Sequence, residues 1–220
     1  MEPVEYLKKT LKESMASQQA FIETYSQTLV QASRLMGETI QKGGKILILG
    51  NGGSAADAQH MAAEMIGKML IDRKPLPALA LTTDTSNLTA IGNDFGYHQV
   101  FLKQIQGLAK PGDVVIAIST SGNSVNVIEA VKAAKTLGCS VIGLTGGTGG
   151  ALLPLCDLHL NAELAKNSSR TQETHIFAIH SLVDLLDRYF LDESYFPSLS
   201  ASSATHGPSE SRPLSLSQEA

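Results

Sequence analysis

Apolar residues recur at three- and four-residue steps from Val4 to about Gln41, through Tyr6, Leu7, Leu11, Phe21, Tyr25, Leu29, Val30 and Leu35, the period of one helical face. Gly43-Gly44 ends the pattern, since glycine accepts the left-handed conformation that closes a helix. Five short runs follow in which apolar residues are consecutive: Lys45–Gly50, Pro77–Leu81, Asp113–Ser119, Ser140–Thr145 and Asp157–Leu160. Runs without alternation are strands covered on both faces, and the helical stretches between them are the crossovers of a parallel sheet. After Thr171, a last helical stripe carries Ile176, Ile179, Leu182, Val183, Leu185, Leu186, Tyr189 and Phe190, wide enough to pack on the sheet and on a neighbour. The pattern predicts a three-layer α/β sandwich with long N-terminal helices, ending near Tyr195. From 196 to 220 the chain is rich in serine and proline with little to bury, so the expected organisation is one domain over 1–195 and a disordered tail over 196–220.

A length of 220 residues suits one domain with a well-covered core. No window approaches the roughly 18 apolar residues that a membrane span needs, and the N-terminus MEPVEYLKKTLKES does not read as a signal peptide. The expected location is the cytoplasm, with no membrane partner. A formal charge of −4, without a Lys/Arg cluster interleaved with aromatics, argues against nucleic acid. Backbone amides can still hold a small anion. Cys139 and Cys156 lie at or near strand starts and read as structural thiols.

The first run leads into Gly50-Asn51-Gly52-Gly53-Ser54-Ala55-Ala56-Asp57 and a helical segment expected to reach Met69. Glycines there permit positive φ and close backbone approach, and a helix start offers unpaired N–H groups. Gly50, Gly52 and Ala55 also satisfy the dinucleotide fingerprint G-x-G-x-x-A, whose ribose-binding acid belongs about 20 residues further on. Asp84 stands well beyond that spacing, and no nucleotide cofactor is expected. The third run ends in Ser119-Thr120-Ser121-Gly122-Asn123-Ser124, opening a helix to about Leu137. Helix capping explains one such hydroxyl, whereas several around a glycine suit the dianionic end of a phosphate monoester. Both loops follow strand C-termini, the edge at which open α/β sheets bind ligands.

His60 and Glu64 stand one turn apart on one helical face. That spacing is shared by solvated pairs and by pairs aimed at a metal or a sugar. Gln172 and His180 lie two turns apart in the last helix, about 80° round, and can flank one groove. Taken alone, Gly92-Asn93-Asp94-Phe95-Gly96 reads as a turn with a helix cap.

Together GNGGSAAD, STSGNS, GNDFG, Gln59-His60-Met61-Ala62-Ala63-Glu64, and Arg170-Thr171-Gln172-Glu173 leading to His175 and His180 resemble the sugar isomerase (SIS) domain family over about residues 3–193. ISTSGNSVNVIEAV looks like its phosphoheptose isomerase branch. The resemblance implies a flavodoxin-like five-stranded parallel sheet and a homotetramer with active sites between subunits. It implies aldose–ketose isomerisation of sedoheptulose 7-phosphate to D-glycero-D-manno-heptose 7-phosphate through an enediol, for ADP- or GDP-heptose and cell-surface polysaccharide. By the same match Glu64 is the base and His180 the acid, and His60, Glu64, Gln172 and His180 are ligands of a zinc ion. Asn51, Gly52, Gly53 and Ser54 would line the first loop, Ser119, Thr120, Ser121 and Ser124 would hold the phosphate, and Asn93, Asp94, Glu64 and Gln172 would meet the sugar. A neutral amide oxygen is an unusual zinc ligand, and Glu64 can be both ligand and base only with one oxygen free. Lys68 stands where an arginine is common in the branch, and Ser169 where an acidic residue often stands. These departures bear on substrate contacts more than on reaction type.

The competing reading is a tetrameric SIS adaptor that binds the bacterial replication initiator DnaA, in whose branch the positions of Glu64 and His180 carry residues unable to transfer protons. Both groups are present here, which favours the enzyme. A sugar-phosphate-sensing regulator would need a fused DNA-binding domain, and the helix before Gly43 shows no basic recognition surface.

Overall fold

The computed structural model describes residues 1–191, so the expected 196–220 tail and the end of the 1–195 domain lie outside the described residues. Helix α1 (Pro3–Gln41) is one unbroken element of 39 residues, in place of several N-terminal helices. Nothing between Pro3 and Gly37 breaks the rod, since the segment contains neither proline nor glycine. The chain continues through β1 (Ile46–Gly50), α2 (Gly53–Ile66), β2 (Ala78–Ala80), α3 (Thr85–Phe95) and α4 (Val100–Leu108). Then come β3 (Val114–Ser119), α5 (Val125–Thr136), β4 (Ser140–Gly146), β5 (Leu158–Ala162) and α6 (Ser168–Leu191). Helix α2 stops at Ile66, short of the expected Met69, because Gly67 follows. α6 opens three residues before Thr171.

The five strands are parallel in the order β2-β1-β3-β4-β5, the flavodoxin-like winding. Alternate residues of each strand feed different cores. Ile46, Ile48, Ile116 and Leu144 pack with Phe21, Leu29 and Met36 of α1, Met61 and Met65 of α2, and Ile179, Leu182 and Leu186 of α6. Leu47, Leu49, Val115 and Val141 pack on the other face with Phe101 and Ile105 of α4 and Val127 and Val131 of α5. Each fully buried aliphatic side chain contributes about 1.5–3 kcal/mol, which is why the runs are apolar at consecutive positions. Gly37 lets α6 approach α1, since a Cβ there would collide with the Tyr189 ring.

The order reverses at β1, whose successor β2 lies on one side while β3 lies on the other. A crevice therefore opens between the carboxyl ends of β1 and β3, where Gly50 pairs with Ile118. Both glycine- and serine-bearing loops emerge at that switch point. No helix among the described residues is long and apolar enough to cross a membrane.

Candidate active site

The loop after β1 depends on missing side chains. A Cβ on Gly50 would meet Ser54 and the Ile118 carbonyl at under 3 Å, so only glycine lets α2 start this close to β3. Gly52, at φ +55°, turns the chain. Gly53 leaves room for the Gln172 amide, which would otherwise strike its Cβ, so α6 reaches the first loop there. Ser54 is buried at the start of α2.

The loop after β3 is tied to the first by two amides. Asn51 Nδ2 donates to Asn126 Oδ1 at 2.9 Å, and Asn126 Nδ2 donates to Asn51 Oδ1 at 2.8 Å. Tyr97 adds a longer bond to Asn51 at 3.4 Å. The Asn51 side chain thus braces one loop against the other. Ser124 stands at the N-cap of α5 without making the cap hydrogen bond. Its hydroxyl lies 3.1 Å from that of Ser119, so capping does not account for it. Thr120 and Ser121 open onto a cavity of about 340 Å³ whose far wall includes Gly147, Thr148, Asn167 and Ser168.

Helices α2 and α6 bring His60 and His180 together, Nε2 to Nε2 at 2.9 Å, with rings edge-on. Because the two nitrogens face each other, one of a neutral pair carries the hydrogen and the other accepts it. Glu64 Oε1 lies 3.6 Å from His60 Nε2, and the Glu64 side chain is 21% exposed. One turn before His60, Asp57 is pushed up to about 6 by burial, partly offset by His60, and its Oδ2 is buried without a hydrogen-bond partner among the described residues.

Two imidazoles and a carboxylate are a donor set suited to zinc, in whose tetrahedron nitrogens at about 2.0–2.1 Å stand roughly 3.3 Å apart. Among the described residues no three His, Cys, Asp or Glu side chains meet closely enough to hold an ion unaided. The donor types fit such an ion at the imidazole pair with Glu64 beside it, while the Gln172 amide lies against Gly53.

Asn93 and Asp94 fall in the last turn of α3, which ends at Gly96 with φ +88°, rather than in a turn that caps a helix. The N-cap of α3 is Asp84, which accepts from the Asn87 N–H. Leu88 and Ile91 pack α3 on the α4–α5 side of the sheet, away from α2 and α6. Asn93 and Asp94 are exposed there and bond to each other at 2.8 Å.

Sequence reasoning missed a buried network beneath the cavity. Thr145 Oγ1 donates to Asn161 Oδ1 at 2.8 Å, so the His159 Nε2–H donates to that hydroxyl, at 2.7 Å. Asn161 in turn donates to the Gly147 carbonyl, and His175 Nε2–H donates to the Thr145 carbonyl. Burial lowers the pKa of His159 and takes His175 down to about 4. Both rings are fixed neutral supports of the loop after β4. Burial also raises the Cys139 thiol and pushes Cys156 up to about 12, as expected of structural thiols.

Residues 10–146 match the family described as SIS domain. The chain belongs to the SIS-domain family. Over 180 residues this SIS protein is 51% identical to the phosphoheptose isomerase of Aliarcobacter butzleri, covering 80% of this chain and 95% of that one. The solved phosphoheptose isomerase of Neisseria gonorrhoeae is 47% identical, with a TM-score of 0.80 over 84% of this chain and 99% of that one. That of Francisella tularensis is 34% identical, with a TM-score of 0.82 over 86% and 100%.

Proposed function

We propose that this SIS protein is an aldose–ketose isomerase converting sedoheptulose 7-phosphate to D-glycero-D-manno-heptose 7-phosphate, a step of heptose biosynthesis. The observation that carries the reading is the meeting of His60 with His180 and Glu64 between α2 and α6, the same two helices that Gln172 and Gly53 bring together at the first loop. It occurs in a chain about half identical to proteins named phosphoheptose isomerase over most of both lengths. The DnaA-adaptor alternative is not favoured by these relatives.

In this reading the hydroxyls of Ser119, Thr120, Ser121 and Ser124 and the amides at the start of α5 receive the 7-phosphate. The first loop, Asn51 to Ser54, and Gln172 border the sugar chain. Glu64 takes a proton from C1 while His180 gives one to O2, so the C1–H bond breaks, an O2–H bond forms and the enediol results. Glu64 then returns its proton to C2 as His180 takes the proton from O1, leaving an aldehyde at C1. Atoms and electrons balance without an oxidant. His60, 2.9 Å from His180, holds that ring in place. A zinc ion held by His60, Glu64, Gln172 and His180 would supply a Lewis acid for the oxygens at C1 and C2.

We place the reaction in the cytoplasm and in a homotetramer with sites between subunits. Val4, Tyr6, Leu7, Leu11 and Met15 are each more than half exposed on the first turns of α1, an apolar stripe that a second copy can cover. Asn93 and Asp94, on the other side of the sheet from His180, are then free to meet a neighbour's substrate.

Turnover of sedoheptulose 7-phosphate by the purified protein, followed by NMR, tests the reading. Glu64→Gln and His180→Gln are expected to lower kcat about a hundred- to ten-thousandfold with the fold intact, and chelation to lower it as well. Unchanged turnover in either variant would remove that residue from the mechanism.

A further inference from the structure

We propose that Arg73 and Asp187 are positioning residues that set the separation of Glu64 and His180, an inference that rests on the isomerase reading. Arg73 lies between α2 and β2, and its side chain is 4% exposed, against 0% for Asp187. Its Nε donates to Asp187 Oδ1 at 2.6 Å. Nη2 donates to the Glu64 carbonyl at 2.9 Å, while Nη1 donates to those of Met65 at 2.8 Å, Gly67 at 3.1 Å and, more weakly, Lys74 at 3.4 Å. One planar cation thus closes the last turn of α2, whose carbonyls lack amide partners within the helix, and fastens it to α6 beside the Leu76 N–H, which also donates to Met65.

The turn it closes begins at Glu64. The carboxylate it grips is seven residues beyond His180, two turns along the same face of α6. A guanidinium is needed because its donors lie in one rigid plane, whereas an ammonium is a point charge that cannot reach all these acceptors together. Among the described residues the other Asp187 oxygen is buried without a hydrogen-bond partner, and Arg73 is the group that holds that carboxylate. Neither residue touches the reacting carbons. Without the pair, the last turn of α2 is free to shift against α6, and a misplacement of about 1 Å is enough to cost about a hundredfold in rate.

The test compares Arg73→Met, Arg73→Lys and Asp187→Asn with the wild type. It reads turnover of sedoheptulose 7-phosphate and the imidazole NMR signals of protein labelled with nitrogen-15 histidine. Asp113→Asn, which disturbs a buried carboxylate bonded to Lys45 and Lys110 and not to α2 or α6, controls for a general loss of stability. In Arg73→Met and Asp187→Asn, kcat is expected to fall about 10- to 100-fold with KM within about threefold, because the phosphate loops are untouched. Arg73→Lys should fall between these and the wild type. The His60 and His180 signals should move while those of His159 and His175 stay. A kcat within about threefold of wild type, or an equal loss in Asp113→Asn, overturns the proposal. If Arg73→Met does not fold, the near-isosteric Asp187→Asn and the milder Arg73→Lys give the same reading. If the wild type itself shows no turnover, the isomerase reading fails. In that case unmoved His60 and His180 signals overturn the positioning role, and moved signals uphold it.

Discussion

The two edges of the sheet treat buried polar groups in opposite ways. At the N-terminal edge, the Asp113 carboxylate accepts from the backbone N–H groups of Lys45 and Lys110, at 2.9 and 2.8 Å, and from the Lys45 ammonium. Burial by itself would raise its pKa, but these partners hold it below the usual carboxylate range. Asp157, exposed and two strands along at the start of β5, likewise accepts from the Val141 N–H and from Lys135. Toward the C-terminal edge, Asp57 Oδ2 and His175 Nδ1 are buried without partners among the described residues, and His60 faces His180. Around Asp113 donors and acceptors are matched, which contributes stability. The C-terminal edge has matched pairs too, Asn51 with Asn126 and Thr145 with Asn161, but keeps these few polar atoms beside them without partners among the described residues.

The contrast can be broken most severely at Asp113. Asp113→Ala leaves two backbone N–H groups and a lysine without their acceptor, and is expected to cost about 3–5 kcal/mol in denaturant unfolding. Turnover of the folded fraction should be unchanged, and a variant that folds normally yet turns over slowly would erase the distinction between the edges.

A smaller effect is expected from His175. Its folded pKa of about 4 lies below the unfolded value near 6.5, so below pH 6.5 the unfolded chain binds the additional proton. The stability it contributes is whole above pH 6.5 and is lost as pH falls toward 4, by about 3 kcal/mol in all. Urea midpoints from pH 7.5 to 4.5 should show this slope in the wild type and less of it in His175→Gln. Parallel pH dependences in the two proteins would assign the slope elsewhere.

The smallest change sharpens the view of the C-terminal edge. Asn126→Ala removes the amide that braces Asn51, and is expected to cost about 1–2 kcal/mol of stability and to raise the KM for the phosphosugar. An unchanged KM would mean that the two loops hold their spacing without the amide pair.

The edge that carries the chemistry was legible in the sequence, because its signals are local. Gly50 to Ser54 and Ser119 to Ser124 each announce a strand-to-helix loop within a few residues, and His60 and Glu64 announce a shared face by spacing alone. The consecutive apolar runs located the strands to within about two residues, as expected where both faces are covered. Partners distant in sequence were not legible. Asn126 is 75 residues from Asn51, and Asp187 is 114 residues from Arg73. Periodicity shows which way a residue faces, not what stands opposite. Asn93 and Asp94 were misplaced for a related reason, since GNDFG has turn composition while the helix that it ends starts far upstream, at Asp84.

The central claim, proton transfer by Glu64, is tested most directly by running the isomerisation in deuterium oxide and reading C2 of the product by proton NMR. A proton carried on a side chain that is 21% exposed has time to exchange with solvent. The account predicts heptose 7-phosphate carrying deuterium at C2, formed by the wild type and not by Glu64→Gln. Undiminished product from Glu64→Gln, labelled at C2 as the wild-type product is, would contradict it.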